Sequence, residues 1–256
     1  MKSLLNKVAI VTGASSGIGR ATALLFAHEG AHVVVSARRA AELDALVDEI
    51  EGAGGHARSL AGDIGDEAVA QRLVDMAVTD FGGLDIAVNN AGTLGASRNI
   101  AAMGLDEWRE VMDTNLTSAF LGAKHQVPAM VERGGGSLIF TSSFVGHSVG
   151  MPEMSAYAAS KAGQIGLVKA LAAEWGSKGI RTNAVLPGGT DTPASITNAP
   201  GATPQVLAFV EGLHALKRMA TPQEIAQAFL FLASSASSFV TGTAFLVDGG
   251  VSINRT

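Results

Sequence analysis

A chain of 256 residues with 47% hydrophobic side chains and a formal charge of −5 can bury most of its apolar surface, as one large α/β domain or as two small ones. Its adjacent basic residues are limited to Arg38-Arg39 and Lys217-Arg218, which argues against the basic footprint of a nucleic-acid partner. It contains no cysteine, so disulfides, thiolate metal sites and a Cys nucleophile fall away together, and no apolar run approaches the ~18 residues of a membrane span.

Read in order, the chain alternates two periodicities. Val8 to Val11 is a short apolar run closed by a Gly-rich turn, and Ile18 to His28 carries Ala21, Leu24, Leu25 and Phe26 at helical spacing. The strand, loop and helix unit then recurs: His32 to Ser36 with Ala41 to Ile50, Ala57 to Ala61 with Glu67 to Thr79, then Leu84 to Asn89. One long helix is expected from about Asp106 to Glu132, then a strand at Leu138 to Ser142, a helix from near Tyr157 to Trp175, and a strand at Arg181 to Leu186. Short, nearly all-apolar strands between helices specify a parallel sheet with right-handed crossovers and helices on both faces.

Gly188 to Gly212, rich in Pro, Gly, Thr and Ala, reads as irregular and defines a lid at about residues 190–215 over the site. Thr221 is an N-cap and Pro222 the first position of a helix to Ala233, and a last strand, Ala244 to Val247, precedes Asp248-Gly249-Gly250. No linker interrupts the series, so the expectation is one doubly wound α/β domain over residues 1–256. The stretch Met1 to Val11 is broken by Asn6 and Lys7 and too short for a signal peptide, which leaves a cytoplasmic location as the default.

Two segments carry chemistry by themselves. Thr12-Gly13-Ala14-Ser15-Ser16-Gly17-Ile18-Gly19 lies between a strand and a helix, where a pyrophosphate meets the free N–H groups of a helix terminus. Gly13 permits the turn, and Gly17 and Gly19 allow close backbone approach. In Ser155-Ala156-Tyr157-Ala158-Ala159-Ser160-Lys161, helical spacing puts Tyr157 and Lys161 one turn apart on one face. At ~5 Å and an effective dielectric of ~20, an ammonium favours a phenolate by roughly 3 kcal/mol, about two pKa units. Tyr157 is thereby expected to be a usable proton donor and acceptor.

Further motifs fall at strand ends: Asp63-Ile64, Asn89-Asn90-Ala91-Gly92, Ser142-Ser143, and Pro187-Gly188 with Thr190 and Thr192, while Asn115 lies in the long helix. With the Gly-rich turn and Tyr157/Lys161, these make the sequence resemble the short-chain dehydrogenase/reductase family over essentially its whole length. The resemblance implies a Rossmann-type fold, a nicotinamide cofactor and a homotetramer or dimer. The small residues Ala158, Ala159, Ala162, Gly163 and Gly166 would also let another helix approach.

The resemblance further implies site roles. Tyr157 would exchange a proton with the substrate oxygen as hydride passes to or from the nicotinamide, and Lys161 would lower the Tyr pKa and bond the nicotinamide ribose. Ser143, chosen over Ser142 by the pattern Ser143-Phe144-Val145-Gly146, would stabilise the carbonyl oxygen, and Asn115 would hold a water in the proton relay or else brace a helix distortion. Asp63 and Ile64 would hold the adenine, Asn90, Ala91 and Gly92 would turn beside the adenosine ribose, and Pro187 to Thr192 would clamp the nicotinamide carboxamide.

The second strand ends in Ala37 where NAD-specific members carry an acid, and Arg38 follows. A guanidinium suits a 2′-phosphate, so NADP(H) is expected, with Ser15 and Arg39 as helpers and NAD(H) as the alternative. The substrate is expected to be a small ketone or secondary alcohol, in a pocket formed by Gly92 to Leu94, Met151 to Met154 and Ala194 to Leu213, with Phe144, Val149, Met151, Ile196, Leu207 and Phe209 giving it apolar character. No His pair or carboxylate cluster has metal-ligand spacing. Two rival classes are disfavoured: an epimerase or dehydratase of the same fold, because the extra substrate domain usual in such relatives is lacking, and a non-catalytic nucleotide-binding protein, because Tyr157 and Lys161 are both present.

Overall fold

Strands without polar alternation must be covered on both faces, and they are. A computed structural model describes residues 2–254. In chain order its elements are β1 (Val8–Thr12), α1 (Gly17–His28), β2 (His32–Ala37), α2 (Ala40–Gly52), β3 (His56–Ala61), α3 (Glu67–Phe81), β4 (Ile86–Asn89), α4 (Leu105–Met112), α5 (Ser118–Glu132), β5 (Gly136–Thr141), α6 (Ser155–Trp175), β6 (Ile180–Pro187), α7 (Pro204–Leu213), α8 (Pro222–Ala233) and β7 (Ala244–Val247). The strands form one sheet in the order β3-β2-β1-β4-β5-β6-β7, and every pairing is parallel.

Successive strand residues serve opposite cores. Ala9, Val11, Val33 and Val35 pack with Phe26, Leu43, Leu46 and Phe229 under α1, α2 and α8. Val8, Ile10 and Val34 pack with Leu73, Val127, Met130 and Val168 under α3, α5 and α6. This is the doubly wound arrangement that the alternating pattern specified.

Two expected elements differ in detail. The long helix is not uniform: a π-turn at Asp113–Thr117 separates α4 from α5, because Asn115 is engaged sideways by neighbouring segments instead of leaving its helix regular. The stretch expected to be irregular contains α7, which begins at Pro204 after Thr203. That Thr-Pro start is the signal that correctly places α8, where Thr221 and Glu224 form a reciprocal cap. Gly163 is also spoken for within the chain, since a Cβ there would stand 2.8 Å from Leu116, whereas Gly166 faces open space.

Phe229 on α8 is fully buried. Phe229→Ala is expected to lower the unfolding free energy by about 3–5 kcal/mol through lost burial and a residual cavity, read from urea denaturation. A loss under about 1 kcal/mol would contradict this packing.

Candidate active site

The strand order reverses between β1, whose crossover leads to β2 on one side, and β4 on the other, so the carboxyl ends of β1 and β4 part around a crevice. Polar side chains lace that edge together. Thr12 Oγ1 accepts from the backbone N–H groups of Asn90 at 3.0 Å and Ala91 at 3.1 Å, and the Asn90 amide donates to the Thr12 carbonyl at 3.1 Å. Thr141 Oγ1 donates in turn to Asn90 Oδ1 at 3.0 Å. Gly13, with φ +68°, must be a glycine here, since a Cβ would lie 2.9 Å from Asn90 Nδ2 and 3.0 Å from Ala91 Cα. The start of α1 therefore opens directly into the crevice, its free N–H groups and dipole directed there.

A cleft of about 630 Å³ follows this edge. Gly13, Ser15, Ser16, Gly17, Ile18, Arg38, Arg39, Asp63, Ile64, Asn90, Ala91, Gly92, Ser143, Tyr157, Lys161, Pro187, Gly188, Thr190 and Thr192 all line it. Gly19 and Asn115 stand behind its wall. Gly19 packs against the Gly13 carbonyl, and Asn115 is fully buried beneath Thr93. Thr93, within the expected segment Gly92 to Leu94, lines the cleft, and so does Thr114, which lies outside every expected segment.

Ser142 and Ser143 point to different tasks. Ser142 Oγ donates to the Lys161 carbonyl at 2.8 Å and is a brace between β5 and α6. Ser143 Oγ accepts from the Val145 N–H at 3.1 Å, and its own proton is directed to Tyr157. A hydrogen bond from Ser143 pulls the Tyr157 pKa down, but burial outweighs it and holds the phenol above its usual value, although part of the Tyr157 surface stays open to the cleft.

The expected lowering of Tyr157 by Lys161 is not found in this structure. Lys161 Nζ lies 5.8 Å from the Tyr157 ring centre and donates to the Thr141 carbonyl at 2.7 Å. Lys161 is only 4% exposed, and burial pushes its pKa down to about 8. Desolvation of two neighbouring groups thus outweighs the attraction that a solvent-screened estimate assigns to them.

Asn115 anchors the loop after β4. Its Oδ1 accepts from the Thr93 N–H at 2.8 Å, and its amide donates to the Thr93 carbonyl and to Ser160 Oγ, both at 2.9 Å. Gln164 Nε2 donates to the Asn115 carbonyl at 2.7 Å, tying α6 to the residue that the family resemblance assigns to a relay water. Gln164 belongs to a buried stripe with four-residue spacing, Ala156, Ser160, Gln164, Val168 and Ala172. A polar residue in an otherwise small and apolar stripe, three positions after Lys161, is the signal that could have marked it.

At the far end of the cleft, Arg39 bonds Ser15 Oγ at 2.9 Å and Ser16 Oγ at 3.1 Å, and pairs with Glu42 at 3.3 Å. Arg38 is exposed and makes no hydrogen bond or ion pair with the described residues. Asp63 Oδ1 accepts from the Gly65 N–H at 2.9 Å in the turn leading to α3. At the near end, Thr93, Leu94, Phe144, Val145, Met151, Met154, Ala194, Ile196, Phe209, Val210 and Leu213 give an uncharged wall. Val149 and Leu207 are not part of it: Val149 bridges to Val145, and Leu207 is exposed. The two rim segments are joined by Glu153, whose φ of 61° presents its carboxylate to Ser97 Oγ at 2.8 Å.

A dinucleotide fits this donor set: glycines where a Cβ would block the turn, a helix N-terminus for the pyrophosphate, and cations at both ends. The sequence family described as enoyl-(acyl carrier protein) reductase matches residues 13–252. Cyclohexanol dehydrogenase of Acinetobacter sp. (strain SE19) is 40% identical over 95% of this chain and 94% of its own length. A short-chain type dehydrogenase/reductase from Mycobacterium marinum superposes with a TM-score of 0.92 at 38% identity, covering 98% of each chain. Carveol dehydrogenase from Mycobacterium avium, solved in complex with NAD, does so with a TM-score of 0.94 at 30% identity, covering 99% of this chain and 100% of that one. The fold and cleft define a nicotinamide-dependent oxidoreductase, and the chain belongs to the short-chain dehydrogenase/reductase family.

The buried Lys161 has a signature in solution. Between pH 8 and 10.5 the unfolded chain carries a proton on this side chain that the folded chain has shed, so its contribution to stability rises with pH across that window, by about 3 kcal/mol in all. The expected outcome is an unfolding free energy that gains on that of Lys161→Met from pH 8 to 10.5, measured by urea denaturation. A constant difference between the two proteins would contradict the burial of this group.

Proposed function

We propose that this chain is an NADP(H)-dependent oxidoreductase interconverting an apolar ketone and its secondary alcohol, with Tyr157 as general acid and base. The observation that carries the reading is the meeting of Tyr157, Ser143 and Lys161 in one cleft, between a dinucleotide cradle and an uncharged wall of Met, Phe, Ile and Leu side chains. A bound nicotinamide supplies the hydride donor or acceptor. Tyr157 gives its hydroxyl proton to the carbonyl oxygen in reduction and takes it back in oxidation. Burial keeps Tyr157 protonated near neutrality, which readies it to act as the acid. Ser143, its oxygen already held by the Val145 N–H, donates its own proton to the same carbonyl oxygen. Lys161, anchored through one hydrogen on Thr141, has two further N–H groups for ribose hydroxyls.

The substrate class follows from the wall. With no charge to pair and few hydrogen-bonding groups, it suits a hydrocarbon ring or chain bearing one oxygen, and the relative named cyclohexanol dehydrogenase supports a cyclic secondary alcohol. Arg38, free of protein partners among the described residues, and Ala37, with no carboxylate to repel a 2′-phosphate, support NADP(H). The NAD found with the Mycobacterium avium relative supports the runner-up, NAD(H) as cofactor.

Two measurements decide. With cyclohexanol and cyclohexanone as probes and turnover followed by nicotinamide absorbance, Tyr157→Phe is expected to lower kcat by about 10²–10⁴-fold while cofactor affinity stays within about twofold of wild type. Near-normal turnover in that variant removes Tyr157 from the mechanism. For the cofactor, Arg38→Ala is expected to cut kcat/KM for NADP(H) about tenfold or more, the worth of a charged hydrogen bond, and to leave NAD(H) nearly unchanged. A wild-type preference for NAD(H) would sink the assignment of Arg38.

A further inference from the structure

Behind the cleft, a histidine that the chemistry above does not use joins the loop after β6 to the lid. His214 follows α7 directly and is 2% exposed. Its Nδ1 lies 2.8 Å from the Val210 carbonyl in the last turn of α7. Its Nε2 lies 2.9 Å from the Gly189 backbone nitrogen, in the loop leaving β6. The partners fix the tautomer: the Gly189 N–H can only donate and the Val210 carbonyl can only accept, so Nδ1 carries the proton and Nε2 is bare. Both nitrogens of a neutral imidazole are used, one on each of two segments.

The chain makes room for the ring on both sides. A Cβ on Gly189 would stand 2.8 Å from His214 Cε1, and one on Gly249 would stand 3.2 Å from Cδ2. Around it the backbone is cross-tied, with the Ala220 N–H on the Gly189 carbonyl at 2.9 Å and the Leu216 N–H on the Gly249 carbonyl at 3.2 Å. Gly189 and Val210, the two residues that the ring joins, both face the cleft. Gly189 sits between Gly188 and Thr190 of the segment assigned to the nicotinamide carboxamide, and Val210 sits beside Phe209 on the substrate wall.

We propose that His214 is a positioning residue that couples the cofactor loop Gly188–Thr190 to the lid helix α7, so that ordering of the loop by cofactor is transmitted to the substrate wall. The coupling rests on the reading of the cleft as a nicotinamide site. The ring does not touch the reacting atoms in this account. Its effect passes through the position of one backbone N–H.

The two nitrogens can be separated by substitution. In His214→Gln the side-chain oxygen reaches the Nε2 position and still accepts from Gly189. In His214→Asn the shorter amide reaches only the Nδ1 position and keeps the tie to Val210. Hydrogen exchange of the peptides covering 188–190 and 204–213 is followed by mass spectrometry with and without NADP(H) and NAD(H), beside cofactor affinity by titration. NADP(H) or NAD(H) is expected to slow exchange in 204–213 about fivefold or more in wild type and in His214→Gln, the lower range of allosteric couplings. In His214→Asn the cofactor is expected to bind while 204–213 stays as fast as in the free protein, and 188–190 is expected to exchange faster even without cofactor. Equal protection of 204–213 in His214→Asn and wild type overturns the proposal, as does its loss in His214→Gln.

Should His214→Asn fail to fold, the wild type carries the test, since ¹⁵N spectra of its imidazole must show a protonated Nδ1 and a bare Nε2, and a proton on Nε2 overturns the clasp. If neither cofactor binds the wild type, the reading of the cleft fails. The tautomer and the exchange of 188–190 in the free proteins then still decide the link itself.

Discussion

The site is built around a buried ammonium. Lys161 sits beneath the cleft with the Thr141 carbonyl as its closest partner, and a cation so placed is tolerated only where the surrounding geometry is fixed. Several features near it answer to that constraint. Gly92 has no Cβ because one would lie 3.3 Å from the ammonium and 3.0 Å from Asn115 Oδ1. Ser142 gives up its hydroxyl to bind the Lys161 carbonyl, fixing α6 against the end of β5. The cost of burial appears as a pKa pushed down to about 8, so near neutrality the group keeps its proton with little margin. An anionic ligand or a phenolate nearby would restore that margin, which makes the charge of Lys161 responsive to what occupies the cleft.

The π-turn serves the same end. A regular helix would leave the Asn115 carbonyl in its own ladder. The π-turn turns it toward α6, where Gln164 meets it at 2.7 Å. The Asn115 side chain is then free to take both backbone polar groups of Thr93. One residue thereby joins the loop after β4, the α4–α5 helix pair and α6, the segments that surround Lys161. Such a node is a brace first. The hydrogen bond from Gln164 makes its carbonyl part of the protein framework.

How much of this was legible depends on the kind of force involved. The sheet was legible because all-apolar runs such as Val33-Val34-Val35 have one home, between two layers of helices. The cradle was legible because glycines at 13, 17 and 19 satisfy steric demands that no other residue meets. The same local signal opens both late helices, Thr203-Pro204 for α7 and Thr221-Pro222 for α8. The family pattern chose Ser143 over Ser142, and the two hydroxyls are engaged differently: Ser142 on the Lys161 carbonyl, Ser143 with the Val145 N–H and Tyr157. Less legible were quantities set by three-dimensional surroundings. The sign of the Tyr157 shift turned on desolvation, which spacing along a helix does not encode. The roles of Gln164 and His214 turned on carbonyls and amides brought near by remote segments.

The two halves of the cleft differ in how they select. The dinucleotide half uses steric exclusion, a helix terminus and charge, and a wrong partner there leaves ions or N–H groups unpaired, at several kcal/mol each. The other half offers Met151, Met154, Phe144, Ile196 and Phe209, where a missing methylene costs only about 1–3 kcal/mol. Methionine side chains also adapt their shape. On the proposed reading, Ser143 and Tyr157 fix one oxygen and its carbon, while the rest of the substrate is held by volume alone. A pocket of this kind ranks substrates gradually by fit and accepts rings and chains of similar size. On the same reading, sharp discrimination is left to the orientation of the carbinol carbon between Tyr157 and the cofactor loop, which is where the clasp proposed at His214 has the most leverage.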